Sequence, residues 1–420
     1  MDKKNNNLSK DNRTGLDRRQ FVKTATAGAA AVTAASAFGF PHTARAADNI
    51  KIGVVHPVTG FLQFSGSQCR FGAELAIKEI NAAGGIKSLG GAKLEALLGD
   101  AQSKAEIGAQ EVEKFAEANV AAIVGAYASG ISVATTQAAA KHGIPHAVDV
   151  GVSDSIVTRG LENTFRFGPG FGVITRIGIE QLIALNDAAG KPVKTVAIVH
   201  EDTTPFGSGI AKLMTNGLTA AGFEVIETLS HPSPNRDFNN IALKLKSANP
   251  DLVIPSNYYN EFVLLARTMQ RQRVQPKGIY SVLGGAASQY KFLKEFPDAA
   301  QYIMDCNHWF NPKDPEAIRI RQATRDAGKF FNYEVFLAYT AMQFVADGIE
   351  RAGSTDKAKV TEALATSTWS GHFMPYGPTK MENGQNMGAL PLNTQIIGDE
   401  IEVIAPSEYA TAKAAFPRPA

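Results

Sequence analysis

Cysteine is nearly absent from this 420-residue chain: Cys69 and Cys306 are the only two. That excludes a disulfide framework and a cysteine-based metal cluster. The pair lies far apart in the order of elements, so two free, buried thiols are expected. Histidine offers no metal site either. His142 and His146 are four apart, but Gly143 and Pro145 between them prevent a shared helical face. Charge of one sign is also missing. The formal balance is +2, but residues 1–47 hold eight Lys/Arg against three Asp/Glu. The rest carries 34 against 37, a net of −3 without a basic cluster, which argues against nucleic acid as a partner. No Walker loop, dinucleotide fingerprint or nucleophile–base pair occurs. Gly168-Pro169-Gly170 and Gly207-Ser208-Gly209 are too short to count as phosphate-binding loops. Neither catalysis nor a cofactor is expected.

What is present is a globular composition, 44% apolar and 20% charged, at a length that calls for two domains. Residues 1–47 read as an address. Asp17-Arg18-Arg19-Gln20-Phe21-Val22-Lys23 resembles a twin-arginine export motif, with Asp and Val where Ser/Thr and Leu are commoner. A mildly apolar Ala/Gly-rich stretch follows to Phe40, too short and too polar to anchor in a bilayer. Ala44-Arg45-Ala46 then supplies a cleavage signal, with cleavage expected near Ala46. No cysteine follows it to carry a lipid, so a free periplasmic protein is expected, and a monomer.

Strands and helices alternate from Asn49 onward. Strands are expected at 49–55, 93–98, 121–124, 144–150 and 164–167, with helices between them, the first from Phe71 to Ala83. After Gly168-Pro169-Gly170 the alternation restarts, with strands at 195–200, 224–229, 251–255, 278–282 and 302–305. Alternation of this kind implies parallel sheets covered on both faces. The second series repeats the order of the first, so the expected fold is α/β, two doubly wound lobes joined by a three-crossing hinge. From Pro315 the chain turns helical, with late strands near 392–397 and 401–404. Such a tail should pack back on the first lobe and then return to the second. The expected division is 1–47 as signal peptide, 48–168 with 307–375 as lobe 1, and 169–306 with 376–420 as lobe 2. Crossings are expected near Gly168, Asn307 and Pro375.

The stretch Ala121–Gly130 (AAIVGAYASG) organises this plan. It reads as a buried strand, a small-residue loop and the start of a helix near Ile131, with Ser129 and Gly130 at the N-cap. A helix start offers unpaired N–H groups and partial positive charge, suited to a carboxylate. In open parallel sheets ligands lie beyond the carboxyl ends of the strands. Two facing lobes would therefore share one cleft. Its loops are His56–Ser65, Tyr127–Gly130 and Asp149–Ser153 from the first lobe. The second supplies Glu201–Phe206, Asn257–Tyr259 and Leu283–Ala286.

The stretches IKIGVVHPVTG, FGAELAIKEINAAGG, VGAYASG, VAIVHEDTTPFGSG and DLVIPSNYYNE resemble the Leu/Ile/Val-binding protein family, the periplasmic type I solute-binding components of ABC importers. The likeness runs from about Asn49 to Ile404. It implies a two-lobed protein that closes on its ligand and delivers it to an ABC-transporter membrane permease. It also implies that Ser129, next to Ala128, and the backbone around Gly151, with Ser153 adjacent, take a ligand carboxylate. Phe64, Ser65, Tyr127, Phe206 and Tyr258 would line the rest. Two departures stand out. Val152 replaces a usual carboxylate-binding Thr, and Leu283 replaces the Glu that pairs with an amino acid's ammonium. An unpaired buried ammonium is costly. The expected ligand is therefore an aromatic or branched aliphatic carboxylate, with a branched-chain amino acid second, held if Asp149, Glu201 or Asp202 reaches its ammonium. A ligand-sensing lobe for a membrane signalling partner shares the same fold. A secreted hydrolase would need a nucleophile elbow that the chain lacks.

Overall fold

The computed structural model describes residues 48–419. The expected export signal and cleavage site lie outside those residues. Strand β1 (Ile50–His56) is buried everywhere except Lys51, the pattern of a strand covered on both faces. After it come α1 (Gln63–Ala82), β2 (Leu94–Asp100), α2 (Ala105–Glu117), β3 (Ala122–Gly125), α3 (Ser129–Lys141), β4 (His146–Val148) and β5 (Thr164–Arg166). The second series is α4 (Phe171–Ala188), β6 (Thr195–Glu201), α5 (Pro205–Ala220), β7 (Glu224–His231), α6 (Asn239–Ala248) and β8 (Leu252–Ser256). It continues with α7 (Tyr259–Gln272), β9 (Gly278–Val282), α8 (Tyr290–Glu295), α9 (Pro297–Ala300) and β10 (Met304–Asn307). Then follow α10 (Pro315–Asp326), α11 (Tyr333–Ala352) and α12 (Lys357–Ala365). Four short strands close the order: β11 (Met381–Glu382), β12 (Gln385–Asn386), β13 (Leu392–Ile397) and β14 (Glu400–Ala405).

Two sheets of seven strands result, in the orders β11-β12-β5-β4-β3-β1-β2 and β14-β13-β10-β9-β8-β6-β7. Five parallel strands in each follow the same relative order, so the second lobe repeats the first, as the order of motifs implied. Register places the strand ends that matter side by side. Gly125 of β3 pairs with Val55 of β1 and with Val148 of β4, which gathers three loops at one edge of the first sheet. In the second, His200 pairs with Ser256 and Val253 with Ile279.

The chain passes between the sheets after β5, after β10, and between Asn386 and Leu392. The third passage corrects the expected one near Pro375. Gln385 pairs with Arg166, and Asn386 Nδ2 donates to Phe167 O at 3.2 Å, so residues 381–386 extend the first sheet. Two-residue strands carry too little pattern to be read in sequence. Helix α1 starts eight residues ahead of the expected Phe71, so Phe64 and Ser65 sit in its first turn, not in a loop. Gln-Phe-Ser-Gly-Ser is a poor helix former, but Ser65, Gly66, Gln68 and Cys69 are buried there, and packing overrides propensity. Helix α11 is buried along most of its length and packs along α1. The tail therefore docks on the first lobe. Both thiols are free and buried, as composition and order suggested.

Candidate functional site

Between the carboxyl ends of the two sheets lies a narrow cavity of about 40 Å³. That exceeds the roughly 10–15 Å³ that a single water needs. The first lobe supplies Tyr127, Ala128, Ser129, Val150, Val152 and, from α11, Tyr333. The second supplies Phe206, Asn257, Tyr258, Leu283, Gly285 and Asn307, with His308 just beyond β10. Not one lining side chain is an acid, a lysine or an arginine.

Ser129 is the first residue of α3 rather than its cap, which is Ala128. The first intrahelical bond runs from Ser132 N–H to Ala128 O at 2.8 Å, so the N–H groups of the first turn lie outside the ladder. Ser129 Oγ accepts the Ser153 N–H at 3.1 Å. Its own proton is free to be donated to an acceptor in the cavity.

Gly151 and Ser153 do not line the cavity; their neighbours Val150 and Val152 do. A Cβ on Gly151 would lie 2.5 Å from Ser132 Oγ, so this residue packs against α3. Arg166 braces the same loop, donating from Nη1 to Val152 O at 2.8 Å and to Ser153 O at 2.7 Å. Phe64 and Ser65 line an adjoining cavity of about 280 Å³ that shares Tyr127 and Tyr258 with the first. At its rim the lobes touch. Phe64 stacks on Tyr259 with ring centres 4.6 Å apart, and Asn260 Nδ2 donates to Phe61 O at 3.1 Å.

The aromatic wall is continuous. Tyr258 packs on Phe206 at 5.1 Å and faces Tyr127 at 6.4 Å. Tyr127 and Leu283 both have positive φ, 64° and 55°, a conformation that side-chain-bearing residues seldom adopt and that recurs at ligand sites.

Of the three carboxylates considered for an ammonium, the two buried ones are committed elsewhere. Asp149 accepts from His56 Nε2 at 2.7 Å, Tyr127 N–H at 3.0 Å and Val150 N–H at 2.7 Å. Burial alone would raise its pKa, but the facing His56 and those bonds hold it below the usual carboxylate value. Glu201 closes the start of α5, accepting the N–H groups of Thr203, Thr204 and Gly207 at 3.0, 3.1 and 2.9 Å. Asp202 is exposed. Among the described residues one His/Cys/Asp/Glu group has metal-like spacing: His56, Cys69 and Asp149. The His56–Asp149 hydrogen bond already occupies its centre.

Three of the lining positions were not legible in sequence. Asn307 and His308 come from the second passage between lobes, and Tyr333 from a helix more than 200 residues after Ser129. Behind Tyr333 lies Glu334, fully buried, with Gln289 Nε2 at 2.7 and 2.8 Å from its two oxygens. Burial pushes its carboxyl up to about 7, partly offset by bonds from Ser65, Gln289 and Tyr333. His308 has neither ring nitrogen bonded, and burial, aided by nearby Arg166, lowers its pKa to about 3. It is neutral at physiological pH.

Known proteins share this architecture. The chain is 26% identical to the Leu/Ile/Val-binding protein homolog 7 of Brucella abortus, over 89% of this chain and 96% of that one. The branched-chain amino acid transporter substrate-binding protein LivJ of Streptococcus pneumoniae, solved with isoleucine, superposes with a TM-score of 0.73 at 21% identity, covering 85% of this chain and 100% of that one. A solute-binding protein of an ABC transporter from R. palustris, solved with benzoate, gives 0.73 at 18% identity, covering 88% and 99%. The profile of the family described as Periplasmic binding protein matches residues 49–394. With two lobes of matched strand order and a cavity walled by both, this chain belongs to the periplasmic binding protein family.

Proposed function

We propose that the protein is the periplasmic solute-binding component of an ABC importer and captures a small organic carboxylate that lacks an α-ammonium group. The observation that carries this reading is the cavity wall. It offers the Ser129 hydroxyl and the first-turn N–H groups of α3 to an anion, and no carboxylate to a cation. A helix start and a charge-assisted hydrogen bond suit a carboxylate, whereas an ammonium would be buried unpaired. Phe206, Tyr258 and Tyr127 suit an aromatic or branched aliphatic body. The benzoate bound by the R. palustris protein shows that this fold can hold such a ligand. Contacts across the rim exist only when the lobes are together, so a ligand bridging both walls favours the closed form. A membrane permease is the expected receiver.

One observation favours a second reading, a branched-chain amino acid. Glu334 is a buried carboxyl without a cation beside it, and an ammonium that displaced Tyr333 would find one there. Isoleucine in the pneumococcal protein is in keeping with it. Calorimetry separates the two. Benzoate and 4-methylpentanoate should release heat, and leucine and benzamide should not. Micromolar leucine binding, about −8 kcal/mol, lost in Glu334→Gln and without heat from the acids, would establish the second reading instead.

A further inference from the structure

The second-lobe wall of the cavity holds a hydrogen-bond acceptor whose orientation is set from behind. His231 Nδ1 lies 2.8 Å from Pro232 O, and a carbonyl only accepts, so Nδ1 carries the proton. Burial lowers the His231 pKa, which leaves Nε2 a bare acceptor. Asn257 Nδ2 lies 2.5 Å from that nitrogen and must be the donor. The amide is therefore held with Nδ2 toward His231, and Oδ1 is the free arm of the fork. Asn257 is fully buried, it lines the cavity, and Oδ1 has no partner. A buried acceptor left unpaired is destabilising, because it has lost its water and gained no donor.

The two walls thus ask for opposite things. Ser129 on the first lobe donates. Asn257 on the second accepts, and it is neutral. Leu283 beside it is apolar, and His308, the other polar side chain there with unpaired atoms, is uncharged. A neutral acceptor among uncharged neighbours matches a neutral donor better than an ammonium, which would stay uncompensated.

We infer that the ligand is a hydroxylated carboxylic acid whose hydroxyl donates to Asn257 Oδ1 while its carboxylate is held at Ser129 and the start of α3. The inference rests on the carboxylate reading above and adds the second polar group. Sites built to bond a hydroxyl discriminate strongly against analogues without one, because the site's own polar atom is then stranded.

The test is calorimetry on the mature protein with matched pairs: benzoate against its three monohydroxy isomers, and 4-methylpentanoate against its 2-hydroxy derivative. At least one hydroxylated acid should bind about tenfold or more tighter than its parent. Asn257→Leu should erase that preference. Equal binding of parents and hydroxy acids would overturn the inference and leave the carboxylate reading intact. A preference that survives Asn257→Leu would overturn the assignment to Asn257. Heat from leucine alone, or from none of the acids, would instead overturn the carboxylate reading on which the inference stands.

Discussion

Ser129 does two jobs at once: its oxygen accepts Ser153 N–H, and its proton is left for the cavity. Ser129→Ala should weaken a carboxylate ligand by about 1.5–3 kcal/mol, the range for a hydrogen bond to a charged group. Titration calorimetry would read that as a ten- to hundredfold rise in Kd, and unchanged affinity would place the carboxylate elsewhere. Glu334 makes a pH prediction. Its carboxyl is raised from the ordinary 4.5 to about 7, so the folded protein keeps a proton that the unfolded chain releases between those values. The cost of that buried charge is absent below 4.5, grows as pH rises, and is complete above about 7. Glu334→Gln should therefore stabilise the protein at pH 8, by at most about 3 kcal/mol, and have no such effect at pH 4. The difference in melting temperature between variant and wild type, followed with pH, checks the sign. A difference that is flat across this range would mean that Glu334 is not desolvated as described.

At the scale of elements, the site depends on loops held at fixed spacing from the helices behind them. Gly285 shows the tolerance. A Cβ there would lie 2.5 Å from Tyr259 N and 2.6 Å from Asn257 O, inside the start of α7. Its own N–H donates to Asn257 O at 2.8 Å, which ties the β9 loop to the β8 loop. Gly285→Ala must push these loops apart. It should cost about 1–3 kcal/mol of stability, the usual range for overpacking. It should also lower affinity more than Ser129→Ala does, because Asn257, Tyr258 and Leu283 all shift. A melting curve and a titration on the same preparation would show both. Normal affinity in the alanine variant would mean that the loop spacing is not critical. The corresponding brace on the first lobe is Arg166, which bonds the loop at Val152 and Ser153 and also Gln385 of β12 at 2.7 Å.

For the whole molecule the prediction is motion between lobes. The cavity is too tight to take in an aromatic acid, and contacts such as Phe64–Tyr259 join the lobes at the adjoining cavity. The ligand-free protein should therefore spend time with its lobes apart, since capture requires an open state. Small-angle scattering should show a larger radius of gyration without ligand than with a saturating one. Equal radii in the two states would rule out hinge closure. Export is a second prediction at this scale, resting on residues 1–47. Arg18→Lys with Arg19→Lys should abolish periplasmic accumulation, because the motif depends on the guanidinium pair, and amino-terminal sequencing of periplasmic protein should begin near Ala47. An intact amino terminus on exported protein would refute the cleavage site.

Sequence by itself determined the plan: which stretches are strands, that they alternate with helices, and that the series occurs twice. Those properties are local, carried by apolar runs such as IKIGVV and VAIVH and by turn residues between them. It also brought Tyr127, Ser129, Phe206, Tyr258 and Leu283 to the cleft, because loops at strand ends follow from strand order. Tertiary structure alone decided the rest. Whether Gly151 or its valine neighbours face the cavity depends on how the loop after β4 turns against α3. That Phe64 and Ser65 are helical depends on burial paid for by distant packing. Asn307, His308 and Tyr333 reach the site from segments with no local sign of a role, and the commitment of Asp149 to His56 and of Glu201 to α5 removes the two buried carboxylates that the chain had offered. In each case what matters is which groups meet across the sheet edges, a property of contacts between residues far apart in the chain.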